Sequence, residues 1–266
     1  MTWFDSHCHL EADVDTSDLN EKLRERNVYG LINIGTTMET SRRSPMVARR
    51  VKESNPELIV GATLGIHPHD GAEVEGGDYL QFDELIAATK EEHSDLLVGI
   101  GECGLDYYYD YCDRRVQRQA FVAQIESAVK YDLPIVIHTR DAWEDTFAVL
   151  DDFRDHRFVL HCFTGGPGEV ERLLDYNMVI SFSGVVTFKK SVENQEAAKI
   201  CPVDRMIVET DAPYLAPTPF RGKPNNPSLV SVTGDFIAKL KGIDVDLFAK
   251  ATTQNALTFF SLLPTL

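Results

Sequence analysis

The chain has 266 residues, of which 43% are hydrophobic and 26% are charged, a composition that excludes a disordered or fibrous protein. The 42 acidic residues outnumber the 26 basic ones and give a net charge of −16, which disfavours a broad basic surface for duplex DNA. The five cysteines are odd in number and form no C-x-x-C pair, which argues against a disulfide framework. No apolar run approaches the roughly 18 residues of a membrane helix, and no secretion signal begins the chain. We therefore expect a cytoplasmic protein.

Short apolar runs rich in strand-forming residues recur along the chain and predict eight strands. The runs are residues 3–4, 30–34, 58–64, 96–100, 133–137, 158–160, 178–182 and 205–208. Longer charged stretches with helical periodicity lie between them, and residues 114–130 are one example. Strands that alternate with helices predict a parallel sheet.

Eight such repeats in a chain of this length favour a closed (β/α)8 TIM barrel in the α/β class, a fold that typically needs roughly 250 residues. No G-x-G-x-x-G motif follows the first strand, which disfavours an open dinucleotide-binding sheet. No linker rich in Pro, Gly and Ser divides the chain, so we expect a single domain over residues 1–266. The Pro-rich residues 213–227 are predicted to form a long loop after the eighth strand.

Asp5, His7 and His9 follow the first run at intervals of two residues. Side chains two apart in extended backbone project from the same face, so these three are predicted to form a chelating arrangement. A His-x-His pair can be accidental on a polar surface. Its position at the end of a strand favours metal binding.

Polar residues end four later runs in the same way. They are Glu102, His138, His161, and the pair Glu209 and Asp211. One polar residue at the end of a strand is common, whereas five at separate positions by chance would be rare. Imidazole and carboxylate donors suit zinc, manganese or iron, while magnesium prefers mostly oxygen, so the donor set leaves the metal open.

Three cysteines, Cys8, Cys103 and Cys162, each adjoin a predicted ligand. Adjacent residues on a strand point to opposite faces. We therefore expect these thiols to face the surrounding helices as buried apolar groups and not to bind metal.

Six motifs together resemble the TatD family of metal-dependent deoxyribonucleases. They read DSHCHL at 5–10, GIHPH at 65–69, GECGLDY at 101–107, IHTRDA at 137–142, HCFTG at 161–165 and ETDAPYL at 209–215. The resemblance runs in order from about residue 4 to residue 227. The departures are Cys103 where isoleucine is frequent, Thr139 where serine is frequent, and RGKPNNP at 221–227, which leaves the substrate open.

The resemblance implies a distorted TIM barrel of the amidohydrolase type with two divalent ions, Mg²⁺, Mn²⁺ or Zn²⁺. The implied ligands are His7, His9 and Asp211 for one ion, His138 and His161 for the other, and Glu102 as the bridge. Two ions about 4 Å apart can bind one phosphate and lower the pKa of a water towards 7. In this hypothesis Asp211 orients the attacking water and accepts its proton, and Glu102 sets the spacing. Asp5 and Glu209 would orient ligand imidazoles.

Candidate substrate contacts are His67, His69 and Arg140, although each is equally compatible with an ordinary polar strand end. Tyrosines 107, 108, 109 and 111 are compatible with stacking on bases, but packing within the loop is the more ordinary function of such a run.

The substrate that these features favour is DNA, cleaved by an exonuclease at chain ends or in short single strands. Because the chain is acidic, the metals would supply much of the attraction for phosphate. The alternative is an amidohydrolase-type enzyme that cleaves an amide, a lactone or an aminoacyl ester such as that of D-aminoacyl-tRNA.

Overall fold

A computed structural model describes residues 3–74 and 79–262 of the chain. Eight parallel strands form one sheet in sequence order. They are β1 (Trp3–Cys8), β2 (Val28–Ile34), β3 (Ile59–Leu64), β4 (Leu97–Asp106), β5 (Ile135–Arg140), β6 (Phe158–Leu160), β7 (Met178–Phe182) and β8 (Met206–Val208). A parallel bridge between Cys8 and Ala212 joins the end of β1 to the segment after β8. The predicted (β/α)8 barrel is confirmed.

Helices alternate with these strands and cover the outside of the barrel. Within the described residues they are α1 (Thr16–Glu25), α2 (Met38–Ser54), α3 (Tyr79–Glu92), α4 (Arg114–Tyr131), α5 (Trp143–Leu150), α6 (Pro167–Leu173), α7 (Val192–Ile200), α8 (Val230–Lys241) and α9 (Val245–Phe259). Asp15, Asp113 and Asp244 cap α1, α4 and α9 by accepting hydrogen bonds from backbone N–H groups of the first turn. None of the helices seen in the described parts of the chain is both long and apolar enough to cross a bilayer.

The strands differ from prediction mainly at their carboxyl ends. β6 and β7 have the predicted bounds, whereas β1, β4 and β5 continue past the apolar runs to Cys8, Asp106 and Arg140. These extensions hold His7, Glu102 and His138. The polar residues predicted to end these three strands therefore lie inside them, where the backbone hydrogen bonds of the sheet fix their positions.

An apolar layer fills one end of the barrel, and we call it the barrel floor. Its residues are Phe4, Ile32, Ile34, Val98, Val136, Val159, Val179 and Ile207 from the strands, with Ala256, Leu257 and Phe260 from the end of α9. Helix α9 thus closes the amino-terminal end of the barrel. The opposite end, formed by the carboxyl ends of the strands, is the barrel mouth.

Gly104 allows β4 to lie against β5 at the mouth. Its φ is +140°, a conformation that other residues rarely adopt, and a Cβ atom there would be 2.0 Å from the carbonyl oxygen of His138. Only glycine fits this approach. Gly104 therefore holds Glu102 and Asp106, the residues two positions on either side of it, against β5.

Candidate metal centre

Glu102 lies at the centre of the mouth, and its side chain is buried. Its two carboxylate oxygens face different groups of imidazoles. Oε2 lies 3.3 Å from His7 Nε2 and 3.7 Å from His9 Nε2. The nitrogens that face Oε1 are His138 Nδ1 at 2.9 Å, His161 Nε2 at 3.2 Å and His67 Nε2 at 3.4 Å. One carboxylate thus connects two donor groups.

The group on the Oε2 side is completed by Asp211. Its Oδ1 lies 3.4 Å from His9 Nε2 and 3.8 Å from His7 Nε2. Donor atoms of all three residues lie within 4.8 Å of one another, close enough to share one ion. The structure therefore brings together the three side chains that the family resemblance implied for one metal.

The group on the Oε1 side differs in part from the expectation. His138 and His161 both face Glu102, but His67 is there too, and His67, Glu102 and His138 have donor atoms within 4.8 Å of one another. His67 was predicted to contact substrate and was not among the predicted ligands. Its substrate contact stays a prediction, while its position adds a further imidazole to the centre.

Asp106 is a site residue that the sequence reasoning missed. It is 1% exposed, and its Oδ2 lies 2.9 Å from His69 Nε2 and 3.3 Å from His138 Nε2. A signal was present, because residues 102, 104 and 106 share one face of an extended strand. Asp106 holds His138 from the side opposite Glu102 and thereby orients its ring.

Glu209 lies beside His161, the imidazole that it is expected to orient. Its Oε1 lies 2.9 Å from His161 Nδ1 and accepts a hydrogen bond from the backbone N–H of Cys162. This leaves Nε2 of His161 facing Glu102. A carboxylate beside the nitrogen that does not bind the metal fixes the orientation of an imidazole ring. It also makes the other nitrogen a better metal ligand.

The prediction for Asp5 was wrong. Its carboxylate accepts hydrogen bonds from the Thr210 N–H at 2.8 Å, the Thr210 hydroxyl at 2.5 Å and the His7 N–H. No described atom accepts a hydrogen bond from His7 Nδ1. The pairing of β1 with β2 shifts register between Asp5 and Cys8, which interrupts the strict alternation assumed for Asp5, His7 and His9. Asp5 therefore ties β1 to the end of β8 instead of orienting an imidazole.

Cys8 and Cys103 are fully buried as predicted, whereas Cys162 is only partly buried and does not lie on a strand. Strand β6 ends at Leu160, and Cys162 has a φ of +43°, so strand alternation does not apply to it. Its Sγ lies 3.1 Å from the Ser183 hydroxyl and close to the donor atoms of His161 and Glu209. Burial raises the pKa of this thiol.

Burial and neighbouring charges set the protonation of the centre. Burial lowers the pKa of His7 to about 3, so its ring is neutral at physiological pH. Burial opposes the charge of His161, but Glu209 and Glu102 outweigh that effect and raise its pKa well above the ordinary value. Burial likewise opposes the charge of Glu102, and the neighbouring imidazoles, His161 first, hold its pKa well below the usual range.

The donor chemistry fits divalent cations. His7 Nε2 and His9 Nε2 lie 3.2 Å apart, a distance at which the two nitrogens can share a proton or, once deprotonated, bind one cation. Within the described residues, no lysine or arginine lies within ion-pair distance of Glu102, Glu209 or Asp211. Buried carboxylates are paired or coordinate metals. Among the described residues, imidazoles face all three carboxylates and the Cys162 N–H donates to Glu209, and divalent cations would complete this compensation.

The fold and this donor set define the protein as a metal-dependent hydrolase of the TIM-barrel type. Residues 4–261 match the family model described as TatD related DNase. The chain therefore belongs to the TatD family, and the resemblance noted in the sequence is confirmed.

Two relatives cover almost the whole chain. The chain is 34% identical to YabD of Bacillus subtilis, a metal-dependent hydrolase, over 97% of this chain and 99% of that protein. It is 35% identical to YcfH of Escherichia coli K12, also described as a metal-dependent hydrolase, over 98% of this chain and 97% of that protein. Both likenesses extend over the whole barrel and are not confined to the motifs.

Solved structures show the same fold. YJJV, a TatD homologue of Escherichia coli K12, superposes with a TM-score of 0.87 at 24% identity, over 98% of each chain. A TatD family hydrolase of Entamoeba histolytica gives a TM-score of 0.81 at 21% identity, over 97% of this chain and 98% of that one. At these identities the likeness is one of architecture.

Proposed function

We propose that the protein is a deoxyribonuclease that hydrolyses phosphodiester bonds at DNA ends or in short single strands and uses two divalent metal ions. The observation that carries this proposal is the Glu102 carboxylate, each oxygen of which faces a separate group of imidazole donors. Two such groups joined by one carboxylate suit the paired ions that act on phosphate esters.

The proposed ligands are those that the resemblance implied. They are His7, His9, Glu102, His138, His161 and Asp211. When bound, the ions would neutralise charge on a phosphate and acidify a water. Asp211 is the proposed proton acceptor because its side chain is 13% exposed at the open mouth and has no basic partner except the imidazoles of His7 and His9 within the described chain. Glu102 is buried and keeps the two groups together.

Cations near the mouth support a polyanionic substrate over a neutral amide or lactone. Lys189 and Lys190 follow β7, and Arg221 and Lys223 follow β8; we call these four residues the loop cations. The two loops are in contact, because the Thr218 N–H donates to the Thr187 hydroxyl at 2.8 Å and the Arg221 guanidinium lies 4.2 Å from the centre of the Phe188 ring. Loops after strands 7 and 8 commonly bind phosphate in TIM barrels.

The loop cations stand out against the acidic surface. No described carboxylate lies within ion-pair distance of any of them, although the whole chain has a net charge of −16. The densest basic stretch of the sequence differs, because on α2 Arg43 pairs with Glu39, Arg49 pairs with Asp95, and Lys52 donates to the carbonyls of Pro56 and Leu58. Four of the unpaired cations of the described residues therefore lie in the two loops after β7 and β8.

A substrate panel tests the function. Single-stranded DNA labelled at the 3′ or 5′ end, a model phosphodiester, a dihydropyrimidine-type amide, a lactone and a D-aminoacyl-tRNA are each assayed with Mg²⁺, Mn²⁺ and Zn²⁺. We expect stepwise shortening of the DNA from one end, reversible loss of activity in EDTA, and two ions per chain by metal analysis. Hydrolysis of the amide, lactone or aminoacyl ester with intact DNA would support the alternative enzyme class.

The variant Glu102→Gln tests whether the proposed metal centre is needed for activity in a protein that still folds. We expect activity to fall by more than about 100-fold, because changes to residues that merely support metal ligands already cost about 10 to 100-fold. Glu126→Gln, at an exposed position of α4, is the matched control and should keep wild-type turnover. A Glu102→Gln protein that folds and cleaves DNA at a near wild-type rate would contradict the proposed site.

The salt dependence of binding tests the loop cations. The affinity for a single strand falls with log salt by about 0.7 per phosphate contact. Replacing Lys189, Lys190 and Lys223 by serine should reduce this slope by about 2. Arg24, Lys199 and Lys239, in the last turns of α1, α7 and α8, form a charge-matched control that should leave the slope unchanged. Equal slopes for the two triple variants would contradict phosphate binding at the mouth loops.

A further inference from the structure

Three tyrosines after β4 expose their rings beside the metal centre. Tyr108 is 58% exposed, Tyr109 is 45% exposed and Tyr111 is 70% exposed. The rings of Tyr109 and Tyr111 stack with centroids 5.2 Å apart and an angle of 23°, and Tyr108 meets Tyr109 edge-on. We call these three residues the tyrosine platform. The packing function expected for most of the run accounts for these mutual contacts, but a large part of each ring remains exposed to solvent.

Tyr107, in the same run, is packed against the rest of the protein. Its hydroxyl donates to Asp145 at 2.6 Å, and the Arg114 guanidinium lies 4.2 Å from the centre of its ring. Both contacts join Tyr107 to neighbouring helices. The rings of the tyrosine platform instead contact one another, His69 and Arg140.

One carboxylate fixes the platform to the centre. Asp106 Oδ1 accepts hydrogen bonds from the N–H groups of Tyr108 and Tyr109, each at 2.9 Å. Its other oxygen lies 3.3 Å from His138 Nε2 and 2.9 Å from His69 Nε2. The platform backbone and a proposed ligand are therefore held by the two oxygens of a single buried side chain.

His69 lies between the platform and the centre. Its ring makes edge contacts with Tyr109 and Tyr111, at centroid distances of 5.4 and 4.9 Å. It also lies against His67, 4.3 Å between ring centroids, and His67 faces Glu102. A continuous row of rings thus leads from the bridging carboxylate to the exposed tyrosines.

Arg140 adds a positive charge to the platform. Its guanidinium carbon lies 3.9 Å from the centre of the Tyr108 ring and 4.8 Å from that of Tyr109. It ends β5 two residues after His138 and so shares the face of that ligand. No carboxylate in the described residues lies within ion-pair distance of it. An unpaired guanidinium beside exposed rings matches a nucleotide, which joins a flat base to a phosphate.

We propose that the tyrosine platform stacks on the unpaired base of the nucleotide next to the bond that is cleaved, and that Arg140 binds that nucleotide's own phosphate. This inference rests on the proposed nuclease function and deepens it. Base stacking tolerates any sequence, so the site selects for an unpaired base and not for a particular one. A base inside a duplex is already stacked, and the enzyme should therefore act on single strands and frayed ends ahead of blunt duplexes.

The test compares loss of a ring with loss of a base. Binding of a fluorescent ten-nucleotide thymidine strand, with phosphorothioate linkages that resist hydrolysis, is measured by anisotropy with the metal-loaded protein, alongside strands that carry one abasic residue at each successive position from the end. Base stacking contributes about 1–3 kcal/mol, which at about 1.4 kcal/mol per tenfold predicts that Tyr111→Ala weakens binding by about 5- to 140-fold. Tyr111→Phe and Tyr109→Phe, which keep the rings, should retain affinity.

The abasic strands show whether the ring acts through a base. One abasic position should weaken wild-type binding by a similar factor, and the penalty of Tyr111→Ala should largely vanish on that strand. Equal penalties of Tyr111→Ala on the normal strand and on every abasic strand would overturn the platform. Base-dependent binding without hydrolysis in any metal would support the platform while refuting the proposed nuclease. Hydrolysis that is indifferent to abasic residues would refute the platform and leave the nuclease standing.

Discussion

The two ends of the barrel interior contrast although the same strands build both. On β8, Ile207 packs in the barrel floor, and Glu209, two residues later, lies 2.9 Å from His161 at the mouth. On β5, Val136 and His138 show the same change over one repeat of the strand. Side chains on one inward face thus pass from apolar to ionisable within about 7 Å of strand.

This contrast separates stability from chemistry. The floor buries apolar surface without polar groups, so each methylene there adds to the free energy of unfolding. The mouth buries carboxylates and imidazoles, whose desolvation opposes folding unless they are paired or coordinate metal. Substitutions at the two ends should therefore have opposite signatures, and three variants test this.

Phe260→Ala at the floor should have the largest effect. Phe260 is 2% exposed, and truncating a buried aromatic ring costs about 3–5 kcal/mol. Urea denaturation measures the loss in free energy of unfolding, while metal affinity and turnover per folded molecule should be retained. A fall in turnover as large as the fall in stability would show that the floor and the mouth are not separable.

Glu209→Gln at the mouth should give the reverse pattern. The amide oxygen can still accept from Cys162 N–H, and loss of the Glu209 charge lowers the pKa of His161, so that its ring can be buried neutral. The free energy of unfolding of the metal-free protein should therefore change by less than about 1 kcal/mol. The loss of negative charge should weaken metal binding by about 10 to 100-fold. Competition with a chelator measures this, and wild-type metal affinity would be inconsistent with Glu209 as the support of His161.

Ile207→Val should have the smallest effect and is the sharpest comparison, because Ile207 is the β8 residue two positions before Glu209, which directly follows that strand. Loss of one buried methyl group should lower the free energy of unfolding by about 0.5–1.5 kcal/mol. Metal affinity should not change. If chelator competition detects weaker metal binding in Ile207→Val, then Ile207 contributes to the metal centre. The floor and the mouth would then not be separate at this strand.

Much of this barrel could be predicted from the sequence because its strands alternate between two apolar surroundings, the helices outside and the floor inside. The apolar runs 158–160 and 178–182 therefore predict β6 and β7 with the bounds that the structure shows. The predicted carboxyl ends of β1, β4 and β5 came too early in the chain. Polar residues that face the mouth interrupt the apolar pattern there, while the strand continues.

The centre was predictable where alternation holds and not where it fails. The position of a polar residue at the end of an apolar run finds Glu102, His138 and Asp211, which the structure brings to one mouth. The period of two misplaces Asp5, because β1 shifts register, and Cys162, because β6 has already ended. His67 follows β3 in a loop, whose course cannot be derived from strand periodicity, so its approach to Glu102 was not foreseen.

The hydrogen bonds from Thr210 to Asp5 join residues 205 positions apart. They lie beside the hydrogen bond from the Asp211 N–H to the His7 carbonyl, so the first strand and the segment after the last strand meet where the metal centre is assembled. A growing polypeptide on the ribosome holds an incomplete set of donors until its last strand emerges. The set of metal donors is therefore incomplete until residue 211 has been added, and a fragment that ends before it lacks the Asp211 donor.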